Sequence, residues 1–191
     1  RVALLYPSPY HVGMSSLGFQ TIYREINSRE GRVAERAFLP DDVAAFRSTR
    51  TPLFTYESER PVGDHRVIAI SGAYEIALAG VIEALGLSGV PALAEDRDAR
   101  HPFVLCGGPL TNSNPLPLAP FADAILMGEA DESIHTTLDV IFSTRDKADA
   151  LATLVREVPA CFVPSVHGES LPAIAQANHE KLPAWGPIRT P

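Results

Sequence analysis

The chain has 191 residues, 46% of them hydrophobic and 20% charged, which fits one soluble globular domain with a tail and excludes wholesale disorder. A net charge of -7 argues against a protein that tracks nucleic-acid phosphates, which needs a basic surface. Cys106 and Cys161 are too few for a four-thiolate zinc or iron–sulfur site or for a disulfide framework.

The first run, Val2-Ala3-Leu4-Leu5-Tyr6, is almost wholly apolar and ends at Pro7, as a strand buried on both faces would. Leu17, Ile22, Tyr23 and Ile26 recur at helical spacing, with Gly31 as the stop. Val33 to Leu39 reads as a second strand, set near an edge by Glu35 and Arg36. A short helix from Asp41 and a loop through Pro52 and Pro61 follow. Val67 to Ser71 is a buried strand and Tyr74 to Leu87 a helix. Phe103 to Cys106 is a fourth strand, ended by Gly107-Gly108-Pro109, and Ala122 to Met127 a fifth, ended by Gly128. Helices are expected from Glu129 to Phe142 and from Asp146 to Glu157. From Pro159 onward prolines recur and apolar periodicity is lost, which predicts a linker.

Short apolar strands alternating with amphipathic helices predict a five-stranded parallel α/β sheet in three layers, with the first and third strands central. The uncharged stretch from Phe103 to Ala122 is long enough to cross a membrane, but Pro109, Pro115, Pro117 and Pro120 forbid a spanning helix. No basic segment followed by an apolar one opens the chain, so no secretory signal and a cytoplasmic location are expected. A first residue Arg1 and a proline at the end read as part of something longer.

In an open parallel sheet, ligands bind beyond the carboxyl ends of the strands. Small residues recur there: Gly13 and Ser15 after the first strand, Ser71-Gly72-Ala73 after the third, Gly107-Gly108 after the fourth and Gly128 after the fifth. That is consistent with tight turns and with a platform on which backbone approaches a ligand closely. Phosphate-binding signatures are absent, both G-x-x-x-x-G-K-[ST] and G-x-G-x-x-G after the first strand, and so is the hydrolase elbow G-x-S-x-G. His11, His65, His101, His135, His167 and His179 show no metal-ligand spacing on one helix. Cys106, ending an apolar strand, reads as a small buried hydrophobe.

The opening segment Leu5 to Gln20, Glu35-Arg36-Ala37-Phe38-Leu39-Pro40, Ile68 to Ser71 with Tyr74-Glu75, Gly107-Gly108-Pro109 with Asn114-Pro115, and Gly128-Glu129 form a set of strings. Together they resemble the N-terminal cobalamin-binding domain of radical S-adenosylmethionine (radical SAM) proteins. The resemblance covers residues 1–143, with an additional helix over 144–158. Residues 159–191 would be a linker toward a radical SAM domain, whose C-x-x-x-C-x-x-C motif is absent here. It implies a flavodoxin-like, Rossmann-like sheet with cobalamin lying across the strand ends. Tyr10, His11, Val12, Gly13, Met14 and Ser15 would face the lower side of the corrin. Ser71, Gly72, Ala73 and Tyr74 would line the slot for the nucleotide tail, walled by Gly107, Gly108, Pro109, Gly128 and Glu129.

Domains of this kind that ligate cobalt through histidine carry D-x-H-x-x-G. Aligning Gly13 with its glycine puts Ser8 at the aspartate and Tyr10 at the histidine, with His11 off register, so histidine ligation is not expected. The resemblance further implies S-adenosylmethionine and a 4Fe-4S cluster in the missing domain, with methyl transfer as a reaction class. Two other readings remain: a docking or substrate-recognition domain that has lost cobalamin, and a small flavodoxin-like enzyme using another nucleotide.

Overall fold

The computed structural model describes residues 1–72 and 74–176. Its elements in chain order are β1 (Val2–Pro9), α1 (Tyr10–Gly13), α2 (Leu17–Ser28), β2 (Ala34–Leu39), α3 (Val43–Thr49), β3 (Val67–Ser71), α4 (Ala77–Leu87), β4 (Phe103–Gly107), α5 (Leu110–Ser113), β5 (Ala124–Leu126), α6 (Ser133–Ser143), α7 (Lys147–Glu157), β6 (Cys161–Phe162) and α8 (Pro164–His167). The sheet has six strands in the order β2-β1-β3-β4-β5-β6. The first five run parallel, in the expected α/β arrangement, and β6 is antiparallel to β5.

Alternation along each strand divides the core into two layers. Val2, Leu4, Val67, Ala69, Leu105 and Leu126 point to the face covered by Phe19 and Ile26 of α2, Leu138 of α6 and Leu154 of α7. Ala3, Leu5, Ile68, Ile70, Val104 and Ile125 point to the opposite face, against Val81 and Leu85 of α4 and Leu118. With helices on both sides, β1 and β3 are interior strands and nearly every residue in them is apolar.

Capping fixes several helix starts. Ser16 accepts from the Phe19 amide (3.3 Å), Asp42 from Ala45 (2.8 Å) and Asp146 from Ala148 (2.6 Å). The helix expected from Tyr74 begins at Ala77, after a turn in which the Ala77 amide donates to the Tyr74 carbonyl at 2.9 Å. α6 begins at Ser133 rather than Glu129, because 129–132 form a turn beyond β5.

The expectation of five strands needs correcting, and the sixth comes from the stretch read as linker. Prolines 159 and 164 bracket Cys161-Phe162-Val163, a run too short to show periodicity. All three of these residues are buried, and Leu126 faces Cys161 in the ladder. The remainder of the expected linker, 177–191, lies outside the described residues.

Candidate functional site

The turns beyond the strands are sewn to one another sideways. The Gly72 amide donates to the Gly107 carbonyl at 2.7 Å, and the Leu110 amide to the Gly72 carbonyl at 3.1 Å. The Thr111 hydroxyl donates to the Gly108 carbonyl at 2.8 Å and accepts from the Gly128 amide at 3.0 Å. Beyond Gly128 the Ala175 amide donates to the Met127 carbonyl at 2.9 Å. Gly108 and Gly128 both hold positive φ, +104° and +85°. A Cβ on Gly108 would stand 2.7 Å from the Gly72 carbonyl oxygen, and one on Gly128 would stand 2.3 Å from that of Ala175. These two glycines are therefore required by contact between loops as well as by φ.

This lattice of turns borders a cavity of about 780 Å³ between α2 and α6. Leu4, Ala69, Leu105 and Leu126 form its floor, and Phe19, Ile22 and Ile134 its apolar walls. Gly18 lines it where a Cβ would meet nothing within 4 Å. Ser71, Gly107, Gly108, Pro109, Gly128 and Glu129 all border this cavity. Glu25, Glu129, Asp131 and Glu132 give it an acidic border, against Arg24 and His135. The imidazole of His135 approaches Glu25 across the two helices, Nε2 to Oε2 at 3.8 Å. One turn on, Asp139 of α6 receives Arg29, the residue that follows α2, at 2.5 Å and also Arg32. Cys106 also lines the cavity, but burial pushes its thiol up to about 12, so it stays protonated and unreactive.

The other expected site residues lie elsewhere. Tyr10, His11, Val12, Gly13, Met14 and Ser15 form a helical turn beside the cavity and do not line it. Gly13 is buried: a Cβ there would fall 2.5 Å from the Phe38 ring and 3.1 Å from the Tyr6 Cβ. Contact with Phe38 is by itself a sufficient reason for a glycine at this position. Tyr10 stacks on Tyr56 (centroids 5.3 Å apart, planes at 18°), and both rings meet Phe38 edge-on. His11 is exposed. Gly72 is buried beneath Leu118, Tyr74 is exposed, and neither lines the cavity. Ala73 lies outside the described residues.

Sequence reasoning missed the two helix faces that wall the cavity. Phe19, Ile22 and Ile134 carry the same apolar spacing as ordinary core residues, so only the unusual Gly18 inside α2 hinted at an opening. Among the described residues, no group of three His, Cys, Asp or Glu side chains could hold a metal ion. No described helix is long and apolar enough to cross a membrane.

No curated protein and no solved structure matches this chain. A family model described as radical SAM proteins, N-terminal, matches residues 18–164, from the α2 wall of the cavity through β6 and into α8. That span covers more than half of the chain, and the chain belongs to the family of N-terminal regions of radical SAM proteins.

Proposed function

We propose that this domain binds cobalamin for a radical SAM methyltransferase, with the cavity between α2 and α6 as the slot for the nucleotide tail. The observation that supports it is the cavity itself: apolar-floored, about 780 Å³, and opening among the strand-end turns of a parallel sheet.

Ser71, Gly107, Gly108 and Gly128 are the residues that would lie along the tail. When bound, cobalamin would supply a transferable methyl group or an electron, and the domain would position it. S-adenosylmethionine and the 4Fe-4S cluster belong, in this reading, to the catalytic domain of the same polypeptide. The two cysteines here, Cys106 and Cys161, both buried, are too few to hold such a cluster.

The test is the absorption spectrum of the full-length protein after incubation with hydroxocobalamin and desalting. About one equivalent should be retained, and His11→Ala should leave the spectrum unchanged because no histidine ligates cobalt. Loss of a nitrogen-ligation signature in His11→Ala would overturn that ligation scheme. Absence of any retained corrinoid would favour the second reading, a docking domain without cobalamin. One observation favours that alternative: Tyr10 and Tyr56 are 45% and 51% exposed, a stacked pair outside the cavity.

A further inference from the structure

The turn that forms the β5 side of the cavity is gripped from two sides. From within, the Thr111 hydroxyl accepts from the Gly128 amide. From without, Ala175 makes two backbone hydrogen bonds, donating to Met127 O at 2.9 Å and accepting from Glu129 N at 3.1 Å. The fit is close: a Cβ on Gly128 would come within 2.4 Å of the Ile174 Cγ2. Ala175 and Ile174 do not line the cavity, whereas Gly128 and Glu129 do. Leu171 and Ile174 are 46% and 47% exposed, and the segment is anchored by the two hydrogen bonds of Ala175 and by the packing of that residue against the core. Segments with few buried contacts open most readily.

We propose that residues 171–175 form a strap whose docking on the Gly128 turn is coupled to occupancy of the cavity. The proposal rests on the cavity being the cofactor slot. When the strap is docked, Met127 O and Glu129 N are paired and the 127–132 turn is fixed where α6 begins. When it lifts, those groups turn to water and one wall of the cavity loosens. A ligand that needs the ordered wall binds the docked form more tightly, and by reciprocity its binding holds the strap down. In a family of radical SAM proteins the chain beyond this strap leads toward the catalytic domain. Cofactor loading would thereby be reported to that domain through the polypeptide itself.

The test uses the full-length protein with hydroxocobalamin as probe. In the unmodified protein, hydrogen exchange at the Glu129 and Ala175 amides should slow on adding hydroxocobalamin, while that of Val104 inside the sheet stays constant. Ala175→Pro removes the donor to Met127 at a position that does not itself line the cavity. It should weaken retention about tenfold, the worth of one ordinary backbone hydrogen bond, and speed exchange at Glu129. Retention by Ala175→Pro with unchanged affinity would overturn the strap, as would unchanged exchange at both amides in the loaded unmodified protein. Failure of the unmodified protein to retain hydroxocobalamin would overturn the cobalamin reading and the strap together, so the two failures are told apart.

Discussion

Phe162→Ala tests whether the stretch after Pro159 belongs to the domain. The ring is fully buried, opposite Ile125 in the β5–β6 ladder, in one cluster with Leu118 and Met127. It also stacks on His167, 5.8 Å between centroids. Truncating a buried phenylalanine to alanine costs about 3–5 kcal/mol, the transfer of the ring plus the cavity it leaves. In a chain of this size each kcal/mol lowers the melting temperature by about 2–4 °C, so a fall of roughly 6–20 °C is expected. Thermal unfolding by circular dichroism gives that shift, and urea unfolding should show a lower midpoint at unchanged slope. Val166→Ala is the control: its side chain is 59% exposed, and the change should stay within about 0.5 kcal/mol. A loss below about 1 kcal/mol in Phe162→Ala would refute the placement of β6 in the core.

Gly13→Val should cost about 1–3 kcal/mol with no ligand present, because its Cβ meets the Phe38 ring; unchanged melting with lost cobalamin retention would instead place Gly13 against the ligand. Arg97 donates to the Phe121 carbonyl at 3.1 Å and to the buried Asp123 at 3.2 Å; Lys147 and the Val104 amide also hold that carboxylate, so Arg97→Ala should cost about 1.5–3 kcal/mol in urea unfolding through the lost charged hydrogen bonds. Acid should act through Glu35, which is 1% exposed. Burial alone raises its pKa, but hydrogen bonds from Ser58, Thr55 and Arg1 outweigh this and bring it to about 2 from an ordinary 4.5. A depressed carboxyl pKa stabilises the fold above the unfolded value and loses that contribution as pH falls through the folded one. About 3 kcal/mol should therefore disappear between pH 4.5 and 2, and Glu35→Gln should flatten that limb of the stability profile.

The interior of the sheet was legible because β1, β3 and β4 are buried on both faces and so appear as unbroken apolar runs. β6 was not, because two residues between prolines carry no period, and their burial depends on β5 lying alongside. The strand-end glycines stood out in the sequence, but their own cause did not. Nothing local in the sequence says that Gly108 must clear the Gly72 carbonyl, or Gly128 that of Ala175; those partners lie 36 and 47 positions away in the chain. The α2 and α6 walls were hidden for a related reason. A helix face turned to a cavity and one turned to the core have the same spacing, and only the third dimension separates them.

The strings that carried the resemblance divide into two groups in space, and this bears on what each test can show. The opening string as far as Ser15 and Glu35-Arg36-Ala37-Phe38 meet at the edge strand β2, whereas Gly18 and Phe19 at the end of that string line the cavity. At β2 Glu35 receives Thr55 at 2.7 Å, Arg36 pairs with Glu57 at 2.6 Å, and the Tyr56 amide donates to the Arg36 carbonyl at 2.8 Å. Together they lay the 54–61 hairpin along an edge that would otherwise offer unpaired backbone to another strand. Phe38, wedged between Gly13, Tyr10 and Tyr56, locks the first strand-end turn to the same corner. The Gly107-Gly108-Pro109 and Gly128-Glu129 strings instead border the cavity. Substitutions in the first group should therefore lower stability with or without cobalamin, whereas a bulky residue at Gly18, where the wall is open, should lower retention while leaving the melting temperature unchanged. Equal losses of stability in Gly18→Leu and Gly13→Val would erase that distinction and remove the case for a separate ligand slot.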